Sequence, residues 1–273
     1  MFNIFSILAW FRKTFTRVDI LLILAATAIY LLTRLINLDK FPIFCDEGIY
    51  IHWAKIAWHD ASWRFISLTD GKQPLQTWGT IPFLKLFPDN LLLGGRMFAV
   101  FTGFIAMSGM YTMLHYLTNK KTAILGLFIY TLVPYFIFYD RLALVDSGVN
   151  AAFIWILFLS LWLVKTERLD VALIFGLVGG IGLLAKSSVQ LFIGLSALAP
   201  ILFFHKRPKE AVKKMPNFYI LYGIGVVISL ALYNIQRLSP FMHIVAEKNT
   251  TFIMTIQEFI HTPFAYFFDN VWR

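Results

Sequence analysis

The chain has 273 residues, 59% of them hydrophobic and 14% charged, with a mean hydropathy of +0.70. A soluble domain of that length cannot hide so much apolar surface, because the buried fraction rises slowly with size. The composition therefore excludes an ordinary soluble enzyme and predicts an all-α polytopic membrane protein. A formal charge of +9 in a soluble chain would invite a nucleic-acid partner. Here the placement of the charges matters more than their sum, and no nucleic-acid partner is expected.

The first apolar run, VDILLILAATAIYLLTRLINL, follows the basic stretch FRKTFTR. It is too long for a signal-peptide core and no small-residue cleavage site accompanies it, so it reads as an uncleaved signal anchor. Seven runs are long enough, or nearly so, to cross a bilayer, at about 18–37, 95–117, 122–139, 146–164, 169–185, 189–205 and 218–236, the alternative for the fifth and sixth being one re-entrant unit with GLLAKSSVQLF as its polar break. GLVGGIG, inside the fifth, reads as a helix-packing motif.

Lysine and arginine in the short connections set the sidedness. With the N-terminus inside, FRKTFTR, TNKK, KTERLD and HKRPKEAVKKMPN are all cytoplasmic and hold 12 of the 24 basic residues. The expected location is the cytoplasmic (plasma) membrane, multi-pass, with the N-terminus cytoplasmic. Residues 1–236 form the transmembrane domain, and 237–273 are expected to be an outer segment that precedes further helices of a longer protein. The single cysteine, Cys45, allows no intrachain disulfide.

The first outer connection, residues 38–94, is long for packed helices, and long connections tend to carry function. It holds four of the eight tryptophans, Trp53, Trp58, Trp63 and Trp78, which read as interface anchors. DEGIYIHWAKIAWHD and QPLQTWGTIPFLKLF read as interfacial helices, with Asp46 placed to cap the first and Pro74 to open the second.

Five polar features fall on the outer side of this map: Asp46 with Glu47, Lys72 in GKQPLQTW, Arg96 opening the second span, Arg141 with Asp146 in YDRLALVDSG, and Lys186 in LLAKSS. Each has a structural alternative. Asp46 caps a helix, Arg141 and Asp146 pair at the interface, and Lys186 snorkels to headgroups. Lys72 is then an exposed loop lysine and Arg96 contacts lipid phosphate. The six histidines show no metal-ligand spacing, and no HExxH, CxxC, P-loop or GxSxG motif occurs.

As a set, these features resemble the GT-C superfamily of membrane glycosyltransferases. Within it they resemble the dolichyl-phosphate-mannose protein mannosyltransferase and aminoarabinose transferase-like family. CDEGIYIHWA matches the acidic residue that opens a juxtamembrane helix after the first span. KQPL matches a Lys-Pro-Pro-Leu-like element, with Gln73 in place of one proline. GGRMFAVFTG, RLALVD and AKSS follow in the family's order, over about residues 18–190.

The resemblance implies a GT-C-like helical bundle and a polyprenyl-phosphate sugar donor used on the outer face. The acceptor would be a protein, lipid or glycan hydroxyl. A phosphate leaving group is already a stable anion, so an inverting transferase needs one base and positive charge on the departing phosphate. Asp46 is the implied base, with Glu47 as fallback. Lys72 and Lys186 would hold the donor phosphate, with Arg96 or Arg141 as alternates. Asp146 would orient the acceptor, bind a sugar hydroxyl or hold a cation. No resident cofactor is expected, and a divalent metal stays open. Two other classes compete: a transporter or flippase for a lipid-linked sugar, which needs charges near the midplane, and a non-catalytic membrane scaffold, whose polar residues need not converge.

Overall fold

A computed structural model describes residues 15–204, 208–252 and 255–264. Among the described residues the chain is helical throughout, with no strand. The helices are α1 (Arg17–Leu35), α2 (Cys45–His59), α3 (Leu75–Leu86), α4 (Leu91–Leu117), α5 (Lys120–Leu132), α6 (Pro134–Tyr139) and α7 (Asp146–Thr166). There follow α8 (Leu169–Ala185), α9 (Val189–Ser196), α10 (Ala199–Phe204), α11 (Pro208–Tyr233), α12 (Met242–Phe252) and α13 (Ile256–His261).

Among the described residues four stretches are long and apolar enough to cross a membrane: Arg17–Leu35, Leu91–Leu117, Asp146–Thr166 and Lys214–Leu238. Leu169–Ala185 is a shorter apolar helix. The remaining two expected spans are broken. The third bends between α5 and α6 at Val133, because Pro134 has no N–H to continue the ladder and instead opens a new helix. The sixth breaks between α9 and α10, where Pro200 stands in the first turn of α10. Exposed Leu21, Leu24, Leu202, Ile220 and Val227 form the apolar outer surface that lipid contact requires.

One core cluster lies between α7, α8, α9 and α11, around Ile156, Leu159, Leu163, Phe175, Ile193 and Phe218. The GLVGGIG expectation holds: a Cβ on Gly176 would lie 2.7 Å from the Gly225 carbonyl oxygen, and one on Gly225 would lie 2.9 Å from that of Ala172. Backbone meets backbone between α8 and α11, which only paired glycines permit.

The basic connections gather at one end. Asp19, in the first turn of α1, pairs with Lys120 at 2.6 Å, and Lys214 pairs with Glu167 at 3.0 Å. Arg12, Lys13, Lys206 and Arg207, assigned to the same side, lie outside the described residues. The last turn of α1 reaches the opposite end, where Arg34 meets Asp140.

The first outer connection is more deeply packed than interfacial helices lying on a membrane. Glu47, Tyr50, Ile51, Trp53, Ala54 and Ala57 of α2 are buried. Trp53 is thus a core residue, not a lipid anchor. Trp63 stacks on Phe241, and Trp78 donates to the Arg64 carbonyl.

Candidate active site

Two buried ion pairs fix the walls of the site. In the first, Glu47 of α2 accepts from Arg96 of α4 twice, Nε to Oε1 and Nη2 to Oε2, both at 2.8 Å. Glu47 also accepts from the Ala143 amide at 2.7 Å and the Phe44 amide at 2.9 Å. Arg96 Nη1 donates to the carbonyls of Leu38 and Phe41, and Nη2 to that of Pro42. All five guanidinium N–H groups are therefore engaged, and both side chains are completely buried.

In the second, Arg34 of α1 meets Asp140 at 3.3 Å, and both are buried. Arg34 also donates to Thr33 and to the Thr131 and Tyr130 carbonyls, and it lies 4.4 Å from the centre of the Tyr30 ring. Asp140 accepts from Ser147 at 2.7 Å. The segment DRLALVD is thus pinned at Asp140, Arg141 and Ala143, with Leu142 through Val145 buried. Arg141 donates to the Thr33, Ile36 and Asn37 carbonyls, closing the end of α1.

That scaffold presents Asp146 at the start of α7 to a cavity of about 1020 Å³. Asp46, Lys72, Asp146 and Lys186 all line it, as do Tyr50, Asp70, Gln73, Ser187, Lys248 and Asn249. Phe44, Phe138, Leu142 and Leu191 supply apolar wall. The cavity sits at the end of the bundle away from the basic connections.

The charges in it are paired loosely. Lys72 Nζ lies 3.4 Å from Asp46 Oδ1 and 3.6 Å from Asp70 Oδ2. Lys186 lies 3.7 Å from Asp146, and Lys248 lies 3.7 Å from Asp70. Lys72 also stands over the Tyr50 and Trp53 rings, at 5.2 and 5.7 Å from their centres. Burial, and then the charges of Asp46, Asp146 and Asp70, hold the Tyr50 phenol well above its usual range, so it keeps its proton. Ser187 accepts from Gln73 and from Asn249, which ties three wall segments together.

The seven candidate residues therefore divide. Asp46, Lys72, Asp146 and Lys186 converge on the cavity; Glu47, Arg96 and Arg141 are turned away from it into structural contacts. Three structural alternatives need correcting. Asp46 is not the cap of α2: the helix begins at Cys45 with Phe44 in the cap position, and Glu47 makes the returning bond to the Phe44 amide. Arg141 does not pair with Asp146, because its guanidinium is committed to the end of α1. Arg96 is buried on Glu47 and does not reach lipid phosphate.

Sequence reasoning missed Tyr50, Asp70, Lys248 and Asn249 in the cavity, and the Arg34–Asp140 pair behind it. Among the described residues no three His, Cys, Asp or Glu side chains gather as a metal cage.

A family model described as dolichyl-phosphate-mannose-protein mannosyltransferase matches residues 72–234. That stretch runs from Lys72 through α11 and takes in Asp146 and Lys186. Neither the curated proteins nor the solved structures contain a match. Matched over more than half of its length, the chain belongs to the dolichyl-phosphate-mannose-protein mannosyltransferase family of GT-C membrane glycosyltransferases.

Proposed function

We propose that this protein transfers a sugar from a polyprenyl-phosphate donor to an acceptor hydroxyl at the outer face of the membrane, with inversion at the anomeric carbon. The observation that carries this reading is the convergence of Asp46, Lys72, Asp146 and Lys186 on one cavity, at the end of the bundle opposite the basic connections.

Asp46 is the base. It takes the proton of the acceptor hydroxyl as that oxygen attacks the anomeric carbon. The bond from that carbon to the phosphate oxygen breaks, and its electron pair leaves on the phosphate. Lys72 and Lys186 stabilise the charge that develops there. Lys72 rests on Asp46. A donor phosphate draws Lys72 towards itself and leaves the Asp46 carboxylate free for the acceptor. Asp146, next to Lys186, binds a hydroxyl of the donor sugar or of the acceptor.

Phe44, Phe138 and Leu191 line the cavity and are exposed, an apolar surface that suits a prenyl chain. The acceptor is a protein, lipid or glycan. A transporter or flippase would need its buried charges near the midplane, whereas Glu47, Arg96, Arg34 and Asp140 all lie at the cavity end.

The test is Asp46→Asn in membranes supplied with polyprenyl-phosphate sugars. The variant is expected to insert normally and to lose transfer by a factor of 10² or more, of the order attached to a general base. Transfer at the wild-type rate removes Asp46 from the reaction.

A further inference from the structure

Asp70 closes the 3-10 turn Ile66–Asp70 in the first outer connection, and Lys248 lies on α12, beyond the span Lys214–Leu238. Both fall outside the matched stretch of residues 72–234. The fold nevertheless brings them together on the cavity wall. The two oxygens of Asp70 face different lysines: Oδ2 lies 3.6 Å from Lys72 and Oδ1 lies 3.7 Å from Lys248. One carboxylate thus holds two ammonium groups, from distant parts of the chain, on the same side of the cavity.

The approach of α12 is built in. Gly71 has φ +70°, a left-handed conformation that favours glycine. A Cβ there would meet Lys248 Cγ at 2.6 Å and the Ile244 carbonyl at 3.2 Å. Val245 is buried, Phe241 stacks on Trp63, and Asn249 donates to Ser187 at 3.0 Å. The helix is seated by several independent contacts, with Lys248 directed into the cavity.

We infer that Asp70 is a positioning residue, and that it aligns Lys72 and Lys248 as a two-ammonium clamp for the anionic group of the lipid-linked substrate. This rests on the donor reading above. It assigns a role to α12: the segment after the span Lys214–Leu238 completes the anion site.

The sign of one substitution separates alignment from simple electrostatics. If Asp70 were only a nearby negative charge, its removal would tighten binding of an anion. If it aligns the lysines, its removal loosens binding. The experiment titrates farnesyl phosphate onto the full chain in nanodiscs of zwitterionic lipid. Wild type is compared with Asp70→Asn, Asp70→Glu, Gly71→Ala, Lys248→Ala and the Asp70→Asn/Lys248→Ala double variant.

Asp70→Asn and Lys248→Ala are each expected to weaken binding roughly five- to tenfold, the scale of one charge-assisted contact. Their losses combine less than additively, because both remove the same alignment. Asp70→Glu restores most of the affinity, and Gly71→Ala, which leaves every charge in place, weakens binding by displacing α12. In transfer assays Asp70→Asn raises the donor KM with little change in kcat. Unchanged or tighter binding by Asp70→Asn, or fully additive losses, overturns the inference while leaving the donor reading intact. A wild-type chain that does not bind farnesyl phosphate overturns both.

Discussion

Glu47 and Arg96 form a doubly hydrogen-bonded ion pair, 2.8 Å at each contact and fully buried, one residue away from the solvent-facing Asp46. Adjacent acids on one helix therefore have opposite tasks. The pair joins α2 to α4, and through the Ala143 amide it also holds the segment that presents Asp146. Removing one member leaves a buried charge without its partner, which costs about 3–5 kcal/mol. Glu47→Gln is expected to lower the thermal midpoint of the detergent-solubilised protein and to reduce the folded yield. Asp46→Asn should leave both unchanged. A Glu47→Gln protein that unfolds like wild type but no longer transfers sugar would move Glu47 from scaffold to reaction.

The lysines of the cavity should behave in the reverse way. Lys72 and Lys186 make long, half-exposed pairs with Asp46 and Asp146, and such pairs contribute about 0–1 kcal/mol to stability. Lys72→Ala and Lys186→Ala are expected to unfold like wild type. Each should raise the donor KM about tenfold, the equivalent of one charge-assisted hydrogen bond. Steady-state kinetics at fixed acceptor and varied donor measure this. An effect confined to the acceptor KM would reassign the lysine concerned to acceptor binding.

The apolar helices were legible because hydrocarbon contact forces long unbroken runs, and all seven expected runs coincide with helices or helix pairs. The break at Pro134 was also written in the chain, but a hydropathy average smooths over a single proline. The cavity residues on short segments beside spans were legible for the same reason: in CDEG, KQPL, LVDSG and AKSS, a charge beside lipid needs an explanation. Glu47 and Arg96 stand out in the sequence by charge, but their pairing does not, since nothing local states that two charges will be spent on each other. Arg34 was hidden in the last turn of an apolar run, where an arginine reads as a headgroup anchor. Asp70 and Lys248 were invisible, because their meaning lies in a tertiary approach permitted by Gly71.

Cys45 reports the sidedness directly. It is exposed, next to Asp46, and it is the only cysteine in the sequence. With the cavity at the outer face, an impermeant maleimide added to intact cells should label it, and Cys45→Ser should abolish the signal. Labelling that requires permeabilised cells would put the cavity on the cytoplasmic side and reverse the proposed direction of donor use.

Arg34 and Asp140 allow a sharper test of what the second buried pair is for. Asp140 bonds Arg34 at 3.3 Å and Ser147 at 2.7 Å, so it ties α1 to the start of α7, one residue beyond Asp146. Asp140→Ala strands the Arg34 guanidinium in a dry setting and should cost about 3–5 kcal/mol. Replacing both members with apolar residues, Arg34→Met with Asp140→Leu, removes the stranded charge and should recover much of that loss, as buried pairs often allow. Stability and activity then separate. The double variant regains a thermal midpoint near wild type, but Ser147 has lost its acceptor and Asp146 its fixed approach to the cavity. Transfer should remain several-fold below wild type, because small misplacements of a substrate-binding group are costly. Full recovery of both properties would mean that the pair serves folding alone, and that Asp146 is held by the buried Leu142–Val145 segment without it.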